Sequence, residues 1–124
     1  MKKAIVSSQL SAAVGPYSQA IDVNGQIYLS GIIAIDPETG VLSGSVEEQA
    51  ERVLTGLEYV LAAAGSSMDQ VVKTTVFLKS MEDFDKVNAI YAQHFRQPYP
   101  ARVCVEVSGL PKNALVEIDA IAYR

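Results

Sequence analysis

PARVCVEVSGLPKNALVEIDAIAY, residues 100–123, is the stretch whose reading decides the fold. Two apolar runs, Val103 to Val107 and Ala114 to Ala122, flank the turn-rich connection Ser108-Gly109-Leu110-Pro111-Lys112-Asn113. That pattern predicts a β-hairpin or a near neighbour of one. Charge sits inside it: Arg102 opens the first strand, and Glu117 lies among Val116, Ile118 and Ile121. In a regular hairpin paired positions share one sum of residue numbers, which sets Arg102 opposite Glu117 unless a bulge breaks the register. The pair is then either a cross-strand ion pair worth a few tenths to ~1 kcal/mol, or an anion clamp. The residues alone leave both readings open.

Upstream of this stretch, Gln97-Pro98-Tyr99-Pro100 stops a helix, because proline cannot continue one. That helix is expected over about Met81 to Phe95, with Phe84, Val87, Tyr91 and Phe95 on one face, a cap near Ser80, and Asp83 and Asp85 at its N-terminal dipole end. Val71 to Lys79 (VVKTTVFLK) is β-branched and alternating, hence a strand. A longer helix precedes it. Ser45 and Glu48 have capping-box spacing, Val46, Ala50, Val53, Leu57, Val60 or Leu61 and Ala64 form one apolar face, and Gly65 suits the C′ position. Nearer the N-terminus, Asn24-Gly25 between Ala20–Val23 and Gln26–Ser30 is a strong hairpin signal. Ala4 to Val6 predicts one more short strand. The order β, β, β, α, β, α, β, β gives an α+β domain spanning residues 1–124, with helices packed on one face of a sheet.

The balance of residues narrows the function. The 124 residues are 49% apolar and 19% charged, with a net charge of −4 and a pI near 4.9. A chain of this size buries roughly two-thirds of the surface its unfolded form exposes. The acidic balance argues against nucleic acid as a partner. Met1-Lys2-Lys3 is followed by no apolar h-region, and no run approaches the ~18 apolar residues of a membrane span. The default compartment is therefore the cytoplasm.

Chemistry-bearing residues are sparse. His94 is the only histidine and Cys104 the only cysteine, too few for a zinc site, which takes three or four ligands. His94 ends the second helix, where a dipole or solvent role is expected. Gly25, Gly31 and Gly40 are too scattered for a phosphate loop. Neither a metal nor a cofactor is expected. On a strand Cys104 would share a face with Arg102. Asn88 sits mid-helix near the apolar face, where it could bond to the sheet. Tyr17 follows Gly15-Pro16 in a turn and, taken alone, reads as packing.

Several motifs in order nevertheless resemble one family along essentially the whole chain. They are Gly15-Pro16-Tyr17-Ser18-Gln19, Tyr28-Leu29-Ser30-Gly31, Asp36-Pro37-Glu38-Thr39-Gly40 and Val71–Leu78. Val87-Asn88-Ala89-Ile90-Tyr91, Pro100–Val107, Leu110-Pro111-Lys112 and Val116–Ala122 complete the set. The chain resembles the RidA/YjgF reactive-intermediate deaminases, also called the YjgF/translation-inhibitor-like family. The resemblance implies a chorismate-mutase-like (YjgF-like) domain with a six-stranded mixed sheet and two helices on one face. It also implies a homotrimer with clefts between subunits. The implied reaction hydrolyses 2-enamine or 2-imine acids such as 2-aminoacrylate to 2-keto acids and ammonia. Arg102 matches the arginine that holds the substrate carboxylate bidentately. Glu117 matches the glutamate that positions water, and a nearby Arg102 would keep it ionised. Gly31 and Cys104 would offer backbone contacts, and Tyr17, Ser30 and Asn88 would line the same cleft. Where many relatives follow Ser-Gly with Gln, this chain has Ile32, which is expected to make that part of the rim more apolar. Two other readings stand beside this one: a non-catalytic binder of 2-keto acids, and a ribonuclease or translation inhibitor, against which the charge and the lone histidine argue.

Overall fold

A computed structural model describes residues 1–124. Strands β1 (Lys3–Ile5), β2 (Ala20–Val23) and β3 (Gln26–Ile32) come first, then helix α1 (Val46–Ala63), strand β4 (Val71–Leu78) and helix α2 (Phe84–His94). Strands β5 (Ala101–Glu106) and β6 (Val116–Tyr123) end the chain. All six strands form one sheet in the order β1-β2-β3-β6-β4-β5. It is mixed: β4 and β5 run parallel, and every other pair is antiparallel.

Local chemistry accounts for the element ends. Asn24 and Gly25 both adopt positive φ, 54° and 82°, as a two-residue hairpin requires, and the Gly25 amide donates to Asp22 Oδ1. Ser45 accepts from the Glu48 amide while the Glu48 carboxylate accepts from the Ser45 amide, which completes the capping box of α1. At the other end Gly65 takes φ 74°, its amide donates to Ala62, and the Ser66 amide donates to Leu61. That is the Schellman pattern of a left-handed C′ residue. A single 3₁₀ turn at Met81–Asp83, capped by Ser80, precedes α2.

Alternation then divides the sheet into two faces. Ile27, Leu29, Val76, Leu78, Val116, Ile118, Ala120 and Ala122 are buried beneath the helices, against Val53, Leu54, Leu57 and Leu61 of α1. Each such leucine contributes ~1.5–3 kcal/mol relative to exposure. The opposite face carries no helix, and Tyr28, Ile121, Val103 and Val105 lie exposed on it.

One expectation fails. β5 and β6 are not a hairpin, because β4 lies between them. Arg102 pairs with Thr74, and Thr74 in turn with Ala120, whereas Glu117 pairs with Phe77. Two physical reasons combine. Residues 71–106 form a strand–helix–strand unit, which places β5 parallel to β4 once α2 covers the sheet. The connection to β6 runs over nine residues, Val107 to Leu115, long enough to step across an intervening strand at ~4.8 Å per strand. It is tied to the end of β4 on both sides: the Val107 amide donates to Leu78, and the Lys79 amide to Leu115.

Candidate active site

The register separates the expected site into two groups on opposite faces of the sheet. Paired residues in neighbouring strands point the same way. Arg102, beside the fully buried Thr74, therefore faces the helices, whereas Glu117, one residue before buried Ile118, faces the open side. Within one chain Arg102 and Glu117 form neither an ion pair nor a common cleft.

The first group gathers around Arg102 on the edge strand. Its Nη1 donates to Asn88 Oδ1 at 2.8 Å, so the mid-helix asparagine does bond toward the sheet. The guanidinium carbon lies 4.8 Å from the centre of the Tyr91 ring and 5.7 Å from that of Phe84. Asn88, Tyr91, Ala92, Tyr99, Pro100 and Arg102 line a cleft of about 430 Å³. Cys104, half-buried, shares the Arg102 face. Burial pushes its thiol up, and the neighbouring Arg102 charge only partly offsets that, a setting for a wall residue more than for a nucleophile.

The second group lies on β3, β6 and the N-terminal segment. The sheet bulges between Leu29 and Ile32, where β3 supplies Ser30 and Gly31 against a single step of β6. Glu117 occupies the space the bulge opens: a methyl group at Gly31 would fall 2.8 Å from its Cδ. Ser30 Oγ donates to the Ser18 carbonyl at 2.6 Å and so ties down the loop that carries Tyr17. Tyr17, Ser30 and Gly31 line one small cavity of about 80 Å³ with Leu10, Gln19 and Ile33. Ile32, by contrast, is buried in the core and packs 3.2 Å from the position a side chain at Gly56 would take. It nevertheless also lines that cavity, together with Ile33 and Ile35.

Glu117 also differs electrostatically from expectation. With Arg102 on the other face, burial pushes its carboxyl above the usual range, and the Asp119 charge pushes it further. Asp119 is itself engaged, accepting from the Thr75 amide at 3.1 Å.

Two features went unread in the sequence. Phe84 and Tyr91 sit at helical spacing from Asn88, the helix residue already expected in the cleft, so the face assigned to packing also carries the rings around Arg102. Buried Gln19 clamps the N-terminal segment: Nε2 donates to the carbonyls of Ser7 and Ser11, and Oε1 accepts from the Ser7 amide. Its place directly after Tyr17-Ser18 was the available signal. His94 bonds through Nε2 to Glu51 of α1 at 2.9 Å and joins the two helices.

Comparison with known proteins identifies the family and the fold. Residues 7–124 match the family model described as Endoribonuclease L-PSP. A RutC family protein of Pyrococcus abyssi is 47% identical, over 99% of this chain and 98% of that one. The human 2-iminobutanoate/2-iminopropanoate deaminase is 44% identical over all of this chain and 91% of its own. The crystal structure of E. coli TdcF with bound serine superposes with a TM-score of 0.92 at 37% identity, over 98% of each chain. The chain belongs to the RidA/YjgF family, which the L-PSP model describes and which includes proteins named as imine deaminases.

Proposed function

We propose that this protein is a cofactor-independent 2-iminobutanoate/2-iminopropanoate deaminase whose sites form between copies of the chain. The observation that carries this reading is the division of the site. An arginine fork with no anionic partner lies on the edge strand, and a half-buried carboxyl lies on the other face of the sheet, the uncovered apolar one. A homotrimer packed through that face would bury Tyr28, Ile121, Val103 and Val105. It would also bring Glu117, Gly31, Ser30 and Tyr17 of one copy to Arg102, Asn88 and Cys104 of the next. The serine held by TdcF is a small 2-amino acid, close in size and charge to the substrate class inferred here.

In this arrangement Arg102 binds the substrate carboxylate through two parallel N–H donors. The Gly31 amide and the Cys104 carbonyl hold the reacting end. Glu117 orients a water and accepts its proton as the oxygen adds to the imine carbon. That proton passes to nitrogen to give the carbinolamine; Glu117 then relays the hydroxyl proton to nitrogen, the C–N bond breaks with its electron pair leaving on ammonia, and the carbonyl of the 2-keto acid forms. Glu117, placed beside the bound imine, is a carboxylate able to take up and return that proton. Orientation supplies much of the acceleration, because an imine already hydrolyses in water.

The test is keto-acid and ammonia release when the protein is added to a threonine dehydratase fed serine. The parent should accelerate release, and Arg102→Ala should lower kcat/KM by at least ~100-fold, since the bidentate charge contact to the substrate carboxylate is lost. An Arg102→Ala protein as active as the parent would sink the assignment. Saturable 2-oxobutanoate binding without acceleration would make the protein a ligand-binding one. RNA cleavage by rigorously purified protein would favour the activity that the family model's description names.

A further inference from the structure

Arg102 is held only by neutral groups. The chain's ion pairs engage His94, Arg96 and Arg124, and none involves Arg102. Its contacts are the Asn88 amide oxygen at 2.8 Å and the faces of Tyr91 and Phe84. Arg96 shows the alternative, since it pairs with Asp69 through two nitrogens and its charge is spent. An aromatic face restrains a guanidinium without neutralising it, and the remaining N–H groups of the Arg102 fork make no hydrogen bond within the chain.

The Tyr91 ring is itself fixed. Tyr91 is 5% exposed, and its hydroxyl lies 2.7 Å from Oγ1 of Thr74, which is fully buried. Phe95 packs on the ring at 4.5 Å. Thr74 is also the register partner of Arg102. The contacts close a ring: Arg102 backbone to Thr74 backbone, Thr74 hydroxyl to Tyr91 hydroxyl, Tyr91 face to Arg102 guanidinium.

We propose that Tyr91 is a positioning residue for anion binding: its ring is the shelf on which the Arg102 guanidinium lies, and its hydroxyl bond to Thr74 fixes that shelf. The consequence is a fork pre-aimed for a planar carboxylate with its charge undiminished. Burial also holds the Tyr91 phenol above its usual pKa, so the hydroxyl stays protonated and able to donate. This inference deepens the carboxylate-clamp reading and rests on it for the ligand, while the shelf itself is measurable without any ligand.

The experiment compares the parent with Tyr91→Leu, Tyr91→Phe and Thr74→Val as full-length chains. Three quantities are read: the chemical shift and order parameter of the Arg102 Nε–H group by NMR, the Kd for 2-oxobutanoate by calorimetry, and kcat and KM for imine hydrolysis. In Tyr91→Leu the Arg102 signal should lose its ring-current shift and become mobile. The Kd should rise about tenfold, and the loss in kcat/KM should fall mainly on KM. Tyr91→Phe keeps the ring and should restore most of the shift, with Kd raised about threefold, and Thr74→Val should behave alike. A Tyr91→Leu protein with Arg102 as ordered as in the parent overturns the proposal, even if its melting temperature falls, because that is mere packing. Should Tyr91→Leu not fold, unchanged Arg102 order in both Tyr91→Phe and Thr74→Val overturns it, and increased mobility in them supports it. If the parent fails to bind 2-oxobutanoate while Arg102 order still depends on Tyr91, the shelf stands and the ligand reading falls.

Discussion

Glu117 illustrates how one residue can be legible in type and misjudged in setting. A carboxylate among Val116, Ile118 and Ile121 was conspicuous in the sequence. Its expected partner was not there, since the register turns Arg102 to the other face. The pKa direction reversed with it. The sign of the pH effect follows. A folded pKa above the unfolded one means that the group stabilises the fold below the ordinary glutamate value of 4.5 and loses that contribution as pH rises through the folded value. Glu117→Gln, made in an Arg102→Ala background so that no neighbouring guanidinium offsets the charge, should therefore melt higher than its parent near neutral pH. The gain should be at most ~2 °C, because the carboxyl is partly solvated, and should vanish below the ordinary glutamate pKa. Melting curves across that range check it; a gain that grows in acid would contradict the direction assigned.

Gly31 belongs to the same scale. Its lack of a side chain is a matter of space, since a methyl group there would strike the Glu117 carboxyl. Gly31→Ala should displace that carboxyl while the bulge persists. Displacement of a positioning group by about 1 Å costs roughly ten- to a hundredfold in kcat/KM. Steady-state kinetics together with a thermal melt would separate this from misfolding. Full activity in Gly31→Ala would remove Glu117 from the reacting centre.

Among the elements, α1 was the most fully written in the sequence. Its capping box, its apolar face and its Gly65 stop are all interactions among residues within a few positions of one another. Ser45→Ala should lower unfolding stability by about 1 kcal/mol, read as a shift in the urea midpoint at unchanged slope. Deaminase activity should be unaffected, since Ser45 is part of neither residue group of the site. The strand pairs β2–β3 and β5–β6 show the contrast. Asn24-Gly25 leaves its strands no choice but to meet. The connection before β6 is long enough to permit either adjacency or a crossing. The evidence against a hairpin was present in the strand, helix, strand spacing of residues 71–106, which favours a parallel neighbour for β4.

For the whole molecule, the division of the site makes a distinctive expectation. If Arg102 and Glu117 of different copies form each site, Arg102→Ala and Glu117→Gln proteins should both be inactive alone. Mixed, unfolded and refolded together, they should recover a fraction of parental activity, because some interfaces then join an intact Arg102 to an intact Glu117. Activity of the mixture no greater than that of its components would show that no such interface exists. Sedimentation at several concentrations should show a trimer, and Val103→Lys together with Val105→Lys on the open face should break it. No helix of the chain is long and apolar enough to cross a membrane.

The sequence by itself determined what neighbouring residues decide: helix caps, the Asn24-Gly25 turn, the alternation of β4, and the charged residues that stand among apolar ones, Arg102 and Glu117. Tertiary structure alone decided strand order and, through it, facing. Side chains alternate along a strand, so inserting β4 between β5 and β6 assigns Arg102 and Glu117 to whichever face the long-range register dictates, and no local preference reports that register. It placed Arg102 on the Tyr91 ring and Glu117 over Gly31, on opposite sides of one sheet.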